Sequence, residues 1–164
     1  MSKKIAENND IRILLHDVRS AHNVGSIFRT GEAIGVSRFY LTGYTPLPLD
    51  KFGRVIKEIA KTALGAEKSI AWEYAETPRK IIGELRKQGF EIVGLEQDAR
   101  AIDYKNYVAQ RRTLVLVGSE VAGMSAEFRN ECDALLEIPM QGMKESLNVS
   151  VAFGIALFRL FDSK

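Results

Sequence analysis

A chain of 164 residues suits one domain with a substantial core, and 46% hydrophobic against 27% charged residues is an ordinary globular balance. Disorder and low complexity are thereby excluded, and a net charge of +2 is too small for bulk attraction to nucleic acid, so such a role must rest on local clustering. The single cysteine, Cys132, cannot form an internal disulfide, which fits a reducing compartment. The start, MSKKIAENND, is charged and lacks an apolar signal core. The longest apolar run, Leu147 to Leu157, contains Asn148 and Ser150 and is too short to span a bilayer. The expectation is a cytoplasmic protein without a membrane segment, forming a single domain over residues 1–164.

In chain order, IRILLHDV from Ile11 reads as a strand and RFYLTG from Arg38 as another. Between them, Val24, Ile27, Phe28, Gly31 and Ile34 recur at helical spacing, with Asn23 as the expected N-cap and Gly35 as the stop. In DKFGRVIKEIAKTALG, Phe52, Val55, Ile56 and Ile59 line one helical face, while Arg54, Lys57 and Lys61 line another. That basic stripe suits RNA phosphates and suits a solvated face equally well. SIAWEYA is a short strand, TPRKIIGELRKQG a helix with Thr77 as cap and Pro78 at its first position, and FEIVGLEQ a strand. Next come the buried strand RTLVLVGSE, the helix SAEFRNEC, the strand ALLEIPM and a final helix. Around that last helix Leu147, Val149, Val151, Phe153, Ile155, Leu157, Phe158 and Leu160 are broken mainly by Arg159, which predicts burial on every side, with some of that surface meeting another subunit.

Short apolar strands alternating with helices indicate an α/β fold with a mostly parallel sheet. Ligands of such sheets bind beyond the carboxyl ends of strands. That places any chemistry in LEQDAR, GSEVAGMS and IPMQGMKES, the loops after three late strands. The phosphate-binding G-x-x-x-x-G-K-[ST], the dinucleotide G-x-G-x-x-G and the nucleophile elbow G-x-S-x-G are all missing. Two histidines (His16, His22) and one cysteine offer no metal-ligand cluster.

Three segments remain: NVGSIFRTGEAIG (23–35), LVLVGSEVAGMS (114–125) and IPMQGMKESLNVSVA (138–152). In this order they resemble motifs one, two and three of the SpoU-type (TrmH-like) RNA 2'-O-ribose methyltransferases of the SPOUT superfamily, and the resemblance covers nearly the whole chain. It implies an α/β domain with a C-terminal deep trefoil knot, without the separate N-terminal RNA-binding extension of many relatives. It further implies S-adenosyl-L-methionine as donor, leaving as S-adenosyl-L-homocysteine, no metal, and a tRNA or rRNA substrate. The donor site would comprise Leu95, Gly118, Glu120, Ile138, Met140, Gly142, Ser146 and Leu147. Gly118, Gly123 and Gly142 permit the close backbone approach such a site needs.

By the same resemblance Arg29, Asn23, Glu120, Ser146 and Asn148 are the catalytic set. Guanidinium is a very poor base, so Arg29 is assigned to orienting the ribose and neutralising its phosphate. Ser146 and Asn148 also suit helix N-capping, and both roles are compatible. The family's dimers imply a homodimer through the last helix and the motif-one region, with a site shared between protomers. Two rivals are a non-catalytic RNA-binding or assembly protein on the same fold and a SPOUT enzyme that methylates a base nitrogen. SLNVS and the motif-one arginine favour ribose.

Overall fold

A computed structural model describes residues 9–161; the charged start through Asn8 lies outside the described residues. Seven strands, β1 (Asp10–His16), β2 (Arg38–Thr42), β3 (Ala71–Tyr74), β4 (Glu91–Leu95), β5 (Ile102–Asp103), β6 (Arg112–Val117) and β7 (Ala134–Glu137), form one sheet in the order β3-β2-β1-β6-β4-β7-β5. Every ladder is parallel, so all carboxyl ends share one edge. Six helices accompany it: α1 (Ala21–Ile34), α2 (Lys57–Ala63), α3 (Ala66–Ser69), α4 (Pro78–Lys87), α5 (Ala126–Glu131) and α6 (Val149–Phe161). The sequence pattern missed only the smallest elements, α3, β5 and a 3-10 turn at Tyr104–Asn106.

Alternation along the central strands explains the three layers. Ile13, Leu15, Val115 and Val117 face a core shared with Val24, Ile27 and Phe28 of α1 and Phe153, Leu157 and Leu160 of α6. Leu14, Leu114 and Leu116 face the opposite core, with Ile82 and Leu85 of α4 and Phe128 of α5. Residues of period two thus serve both faces of a sheet covered on both sides. Gly25 sets the crossing of α1 and α2: a β-carbon there would collide with the Ile59 carbonyl and the Thr62 hydroxyl.

Three local expectations are corrected, and a fourth element, α6, matches the expected surface for another subunit. Helix α1 is capped by Ser20, whose hydroxyl accepts from the Asn23 amide at 3.2 Å; Gly35, at φ 91°, ends it as expected. The expected helix through Phe52 starts only at Lys57, because Asp50 captures the amides of Phe52 (2.8 Å) and Arg54 (2.9 Å). Phe52 and Val55 are therefore exposed, and only Ile59 and Ala63 of α2 are buried. Thr77 does precede Pro78 of α4, but its side chain makes no capping bond. Helix α6 buries Phe153, Ala156, Leu157, Leu160 and Phe161, yet leaves Val151, Ile155 and Phe158 between 38% and 48% exposed. Within one chain, then, α6 is covered on one side only.

Candidate active site

Beyond the carboxyl edge, the loops after β4, β6 and β7 converge with the starts of α1 and α6 around a cavity of about 650 Å³. This is the size range of small-molecule sites. Leu95, Val117, Leu136, Ile138, Met140 and Leu147 supply apolar walls. Glu96, Glu120, Glu137 and Glu145 also line it, whereas among the described residues no Lys, Arg or His does. A cavity with four carboxylates and no cation attracts a positively charged ligand.

The loop after β6 is built for close backbone approach. A β-carbon on Gly118 would lie 2.7 Å from the Gly123 carbonyl carbon, and Ser119 accepts the Gly123 amide at 2.9 Å to close the turn. Gly123 adopts φ 64°, and a side chain there would strike the Glu96 carboxylate. Glu96 in turn accepts the amides of Met124 (2.6 Å) and Gln97 (2.9 Å), tying the β4 and β6 loops together. Gln97 donates through Nε2 to the Glu145 carbonyl at 2.6 Å, joining in the third loop. Glu96 and Gln97 were not among the expected site residues. Their signal was an acid immediately after a buried parallel strand, within a loop already suspected.

At the cavity mouth one hydrogen-bonded chain links three distant segments. The Glu120 carboxylate accepts from the backbone amides of Arg19 (2.8 Å) and Ser20 (3.0 Å) and from Asn23 Nδ2 (3.0 Å). Asn23 Oδ1 accepts from Asn148 Nδ2 at 3.1 Å. Asn148 Oδ1 accepts the Ser150 hydroxyl at 2.6 Å and the amides of Ser150 (2.9 Å) and Val151 (3.4 Å), capping α6. A carboxylate only accepts, so it fixes the flip of Asn23, and Asn23 fixes that of Asn148. Burial pushes the Glu120 carboxyl up, but the donors from Arg19, Asn23 and Ser20 outweigh it and hold the pKa below the usual value. Glu120 is therefore ionised near neutral pH and a weak base.

Of the expected residues, Asn23, Leu95, Gly118, Glu120, Ile138, Met140, Ser146, Leu147 and Asn148 all line this one cavity. Two do not. Gly142 is exposed and a β-carbon there would meet nothing within 4 Å. Arg29 is exposed on α1 and does not line the cavity. A β-carbon on Gly154 of α6 would sit in ordinary contact with Thr30, the residue after Arg29. Arg54 is tied to Asp50 at 2.7 Å, while Lys57 and Lys61 are exposed along α2. Among the described residues no three His, Cys, Asp or Glu side chains gather to hold a metal ion, and no helix is long and apolar enough to cross a membrane.

Comparison with known proteins bears on this geometry. Residues 10–158 match the SpoU rRNA Methylase family. A candidate TrmH family tRNA/rRNA methyltransferase of Staphylococcus haemolyticus is 31% identical over 163 residues, 99% of this chain but 63% of that protein. The chain thus spans less than two thirds of the length of that curated relative. Among solved structures, the A. aeolicus TrmH/SpoU tRNA modifying enzyme superposes with a TM-score of 0.80 at 29% identity, over 92% of this chain and 73% of that one. The AdoMet-bound rRNA methyltransferase of Sinorhizobium meliloti gives 0.78 at 30% identity, over 93% and 56%.

Proposed function

Because the chain belongs to the SpoU rRNA methylase family, we propose that it is an S-adenosylmethionine-dependent methyltransferase acting on a ribose 2'-hydroxyl of tRNA or rRNA, as a homodimer. The observation that carries the reading is the Glu120–Asn23–Asn148 chain at the mouth of the acidic cavity. The residues present fit the donor. Apolar walls suit its adenosine, the Gly118–Gly123 loop brings main chain close, and four carboxylates without a cation suit a sulfonium. Bound there by Leu95, Gly118, Ile138, Met140 and Leu147, the donor supplies an activated methyl group.

The protein's own contribution is to place the acceptor. Asn23 and Asn148 each spend one N–H on the chain, which leaves each amide a second N–H for a ligand. Ser146, at the same mouth, adds a hydroxyl. Together these groups orient a ribose rather than ionise it, and the depressed pKa of Glu120 makes that acid a structural anchor. Phosphate is repelled by the four carboxylates, so a cation must come from outside the cavity. Arg29 of a second copy fills that need if two chains meet across Val151, Ile155 and Phe158, which lie on the helix beside it. The C-terminal knot and the single-domain reading belong to the same proposal. Incubation with methyl-labelled donor and total RNA, followed by digestion to nucleosides, tests it. Label in 2'-O-methylnucleosides is the expected result. Label in a methylated base makes this a base-methylating SPOUT enzyme, and donor binding without transfer makes it an RNA-binding protein on the fold.

A further inference from the structure

The loop after β2 has a character opposite to that of the cavity. Beyond β2 the chain runs from Gly43 to Ile56 before α2, and this loop holds two of the most exposed aromatic side chains, Tyr44 at 68% and Phe52 at 69%. Phe52 stands at the tip of a turn closed five ways by Asp50. The Asp50 amide donates to the Arg54 carbonyl (2.9 Å), and the Gly53 amide donates to the Asp50 carbonyl (2.9 Å). The Asp50 carboxylate takes the amides of Phe52 and Arg54 and the Arg54 guanidinium. So fixed a turn holds an aromatic ring largely in solvent.

Cations surround the ring. Lys51 Nζ and Arg54 Cζ each lie 5.0 Å from its centroid, and Lys51, Lys57 and Lys61 are exposed without an ion pair among the described residues. The loop is coupled to the cavity through the four residues after β1. Asp17 accepts the Tyr44 amide at 3.1 Å and Thr45 Oγ1 accepts the Val18 amide at 3.2 Å, while Arg19 and Ser20 are held by Glu120. The root of the loop thus abuts the backbone that Glu120 holds, while Leu49 and Val55, which flank the Phe52 turn, line a hollow with Ala71 at the start of β3.

We propose that the Asp50–Arg54 turn, with Phe52 at its tip and Tyr44 in the same loop, is a stacking platform for unpaired bases of the RNA substrate. The inference rests on the RNA-methylating reading above. Aromatic faces interleaved with lysine and arginine are what single-stranded nucleic acid requires: cations follow the phosphates and rings stack the bases, whatever their sequence.

The test uses the full chain and two fluorescein-labelled probes, a 12-nucleotide single-stranded RNA and the same sequence as a duplex, with anisotropy followed across salt concentrations. Phe52→Ala is expected to weaken single-strand binding at least about fivefold while leaving its salt slope unchanged. Lys51→Gln is expected to lower that slope by about 0.7. Phe52 is exposed, so the melting temperature and S-adenosylmethionine binding by calorimetry are expected to match wild type. Phe52→Leu separates the alternatives: a ring-specific site loses affinity, whereas retained affinity marks a general apolar contact of the kind a protein partner uses and overturns the proposal. Equal losses for duplex and single strand overturn it too. Wild-type RNA binding that survives Phe52→Ala sinks the platform alone. Failure of the wild type to bind either RNA sinks the substrate class and the platform together.

Discussion

Asn148 Nδ2 donates to Asn23 Oδ1 at 3.1 Å, joining residues 125 positions apart in the chain. The same asparagine caps α6 through its other side-chain atom. One side chain therefore fixes the start of the last helix and the orientation of a group at the cavity mouth, two roles that substitution can separate.

Asn148→Ser keeps a capping hydroxyl but is too short to reach Asn23. Stability is expected to stay within about 0.5 kcal/mol of wild type, against a loss of about 1 kcal/mol for Asn148→Ala. Methyl transfer is expected to fall about 100-fold in both, because misplacing the acceptor suffices. Thermal melts beside single-turnover transfer assays decide it; an active Asn148→Ser protein would reduce Asn148 to a helix cap.

Glu120 has a lowered folded pKa, so the stability it contributes is present above the ordinary carboxylate value of 4.5 and is lost as pH falls from there through the folded value. Glu120→Gln keeps the shape but turns an N–H toward one of three donors. Its stability at pH 7 is expected to drop, and its decline between pH 5 and 3 to be shallower than wild type. Denaturant midpoints across that range provide the measurement, with parallel acid limbs counting against the assignment.

Arg29→Ala is expected to leave donor affinity within about twofold, since the residue lies outside the cavity, and to lower transfer about 100-fold. Mixing it with a protein defective at Asn148 is expected to restore part of the activity through hybrid dimers holding one intact shared site. If donor binding is lost instead, Arg29 acts within its own chain.

Ile155→Glu places a charge amid Val151 and Phe158 on the uncovered face of α6. Wild type is expected to sediment as a dimer at micromolar concentration and the variant as a folded monomer without transfer activity. A wild-type monomer would remove the second copy from the proposal, and with it the route by which Arg29 reaches phosphate.

Much of the fold was legible because it is written in local periodicity. The continuous apolar run in RTLVLV yields a strand buried on both faces, and Val24, Ile27, Phe28 and Gly31 yield the buried side of α1. Where the reading failed, side chains competed with the backbone. Asp50 diverted the chain around Phe52 from a helix into a turn, and Ser20 took the cap expected of Asn23. For α6 apolar content marked the helix as covered all round, but hydrophobicity does not say which part of the covering surface belongs to the same chain.

By itself the sequence determined the element types, the three motif segments and the chemical kinds of residue available. Only the tertiary structure decided which of them meet. Parallel strands bring all the loops that follow them to one edge, and the order β1-β6-β4-β7 sets the loop of Glu120 between those of Asn23 and Ile138. Glu120 and Asn23 are separated by 97 positions and Asn148 and Asn23 by 125, distances over which helical and strand periodicities carry no information. The physical reason is that periodicity reports a residue's neighbours on its own element. The site is made by pairing between elements, fixed by burial on two faces of the sheet and by the hydrogen bonds left to satisfy at its edge.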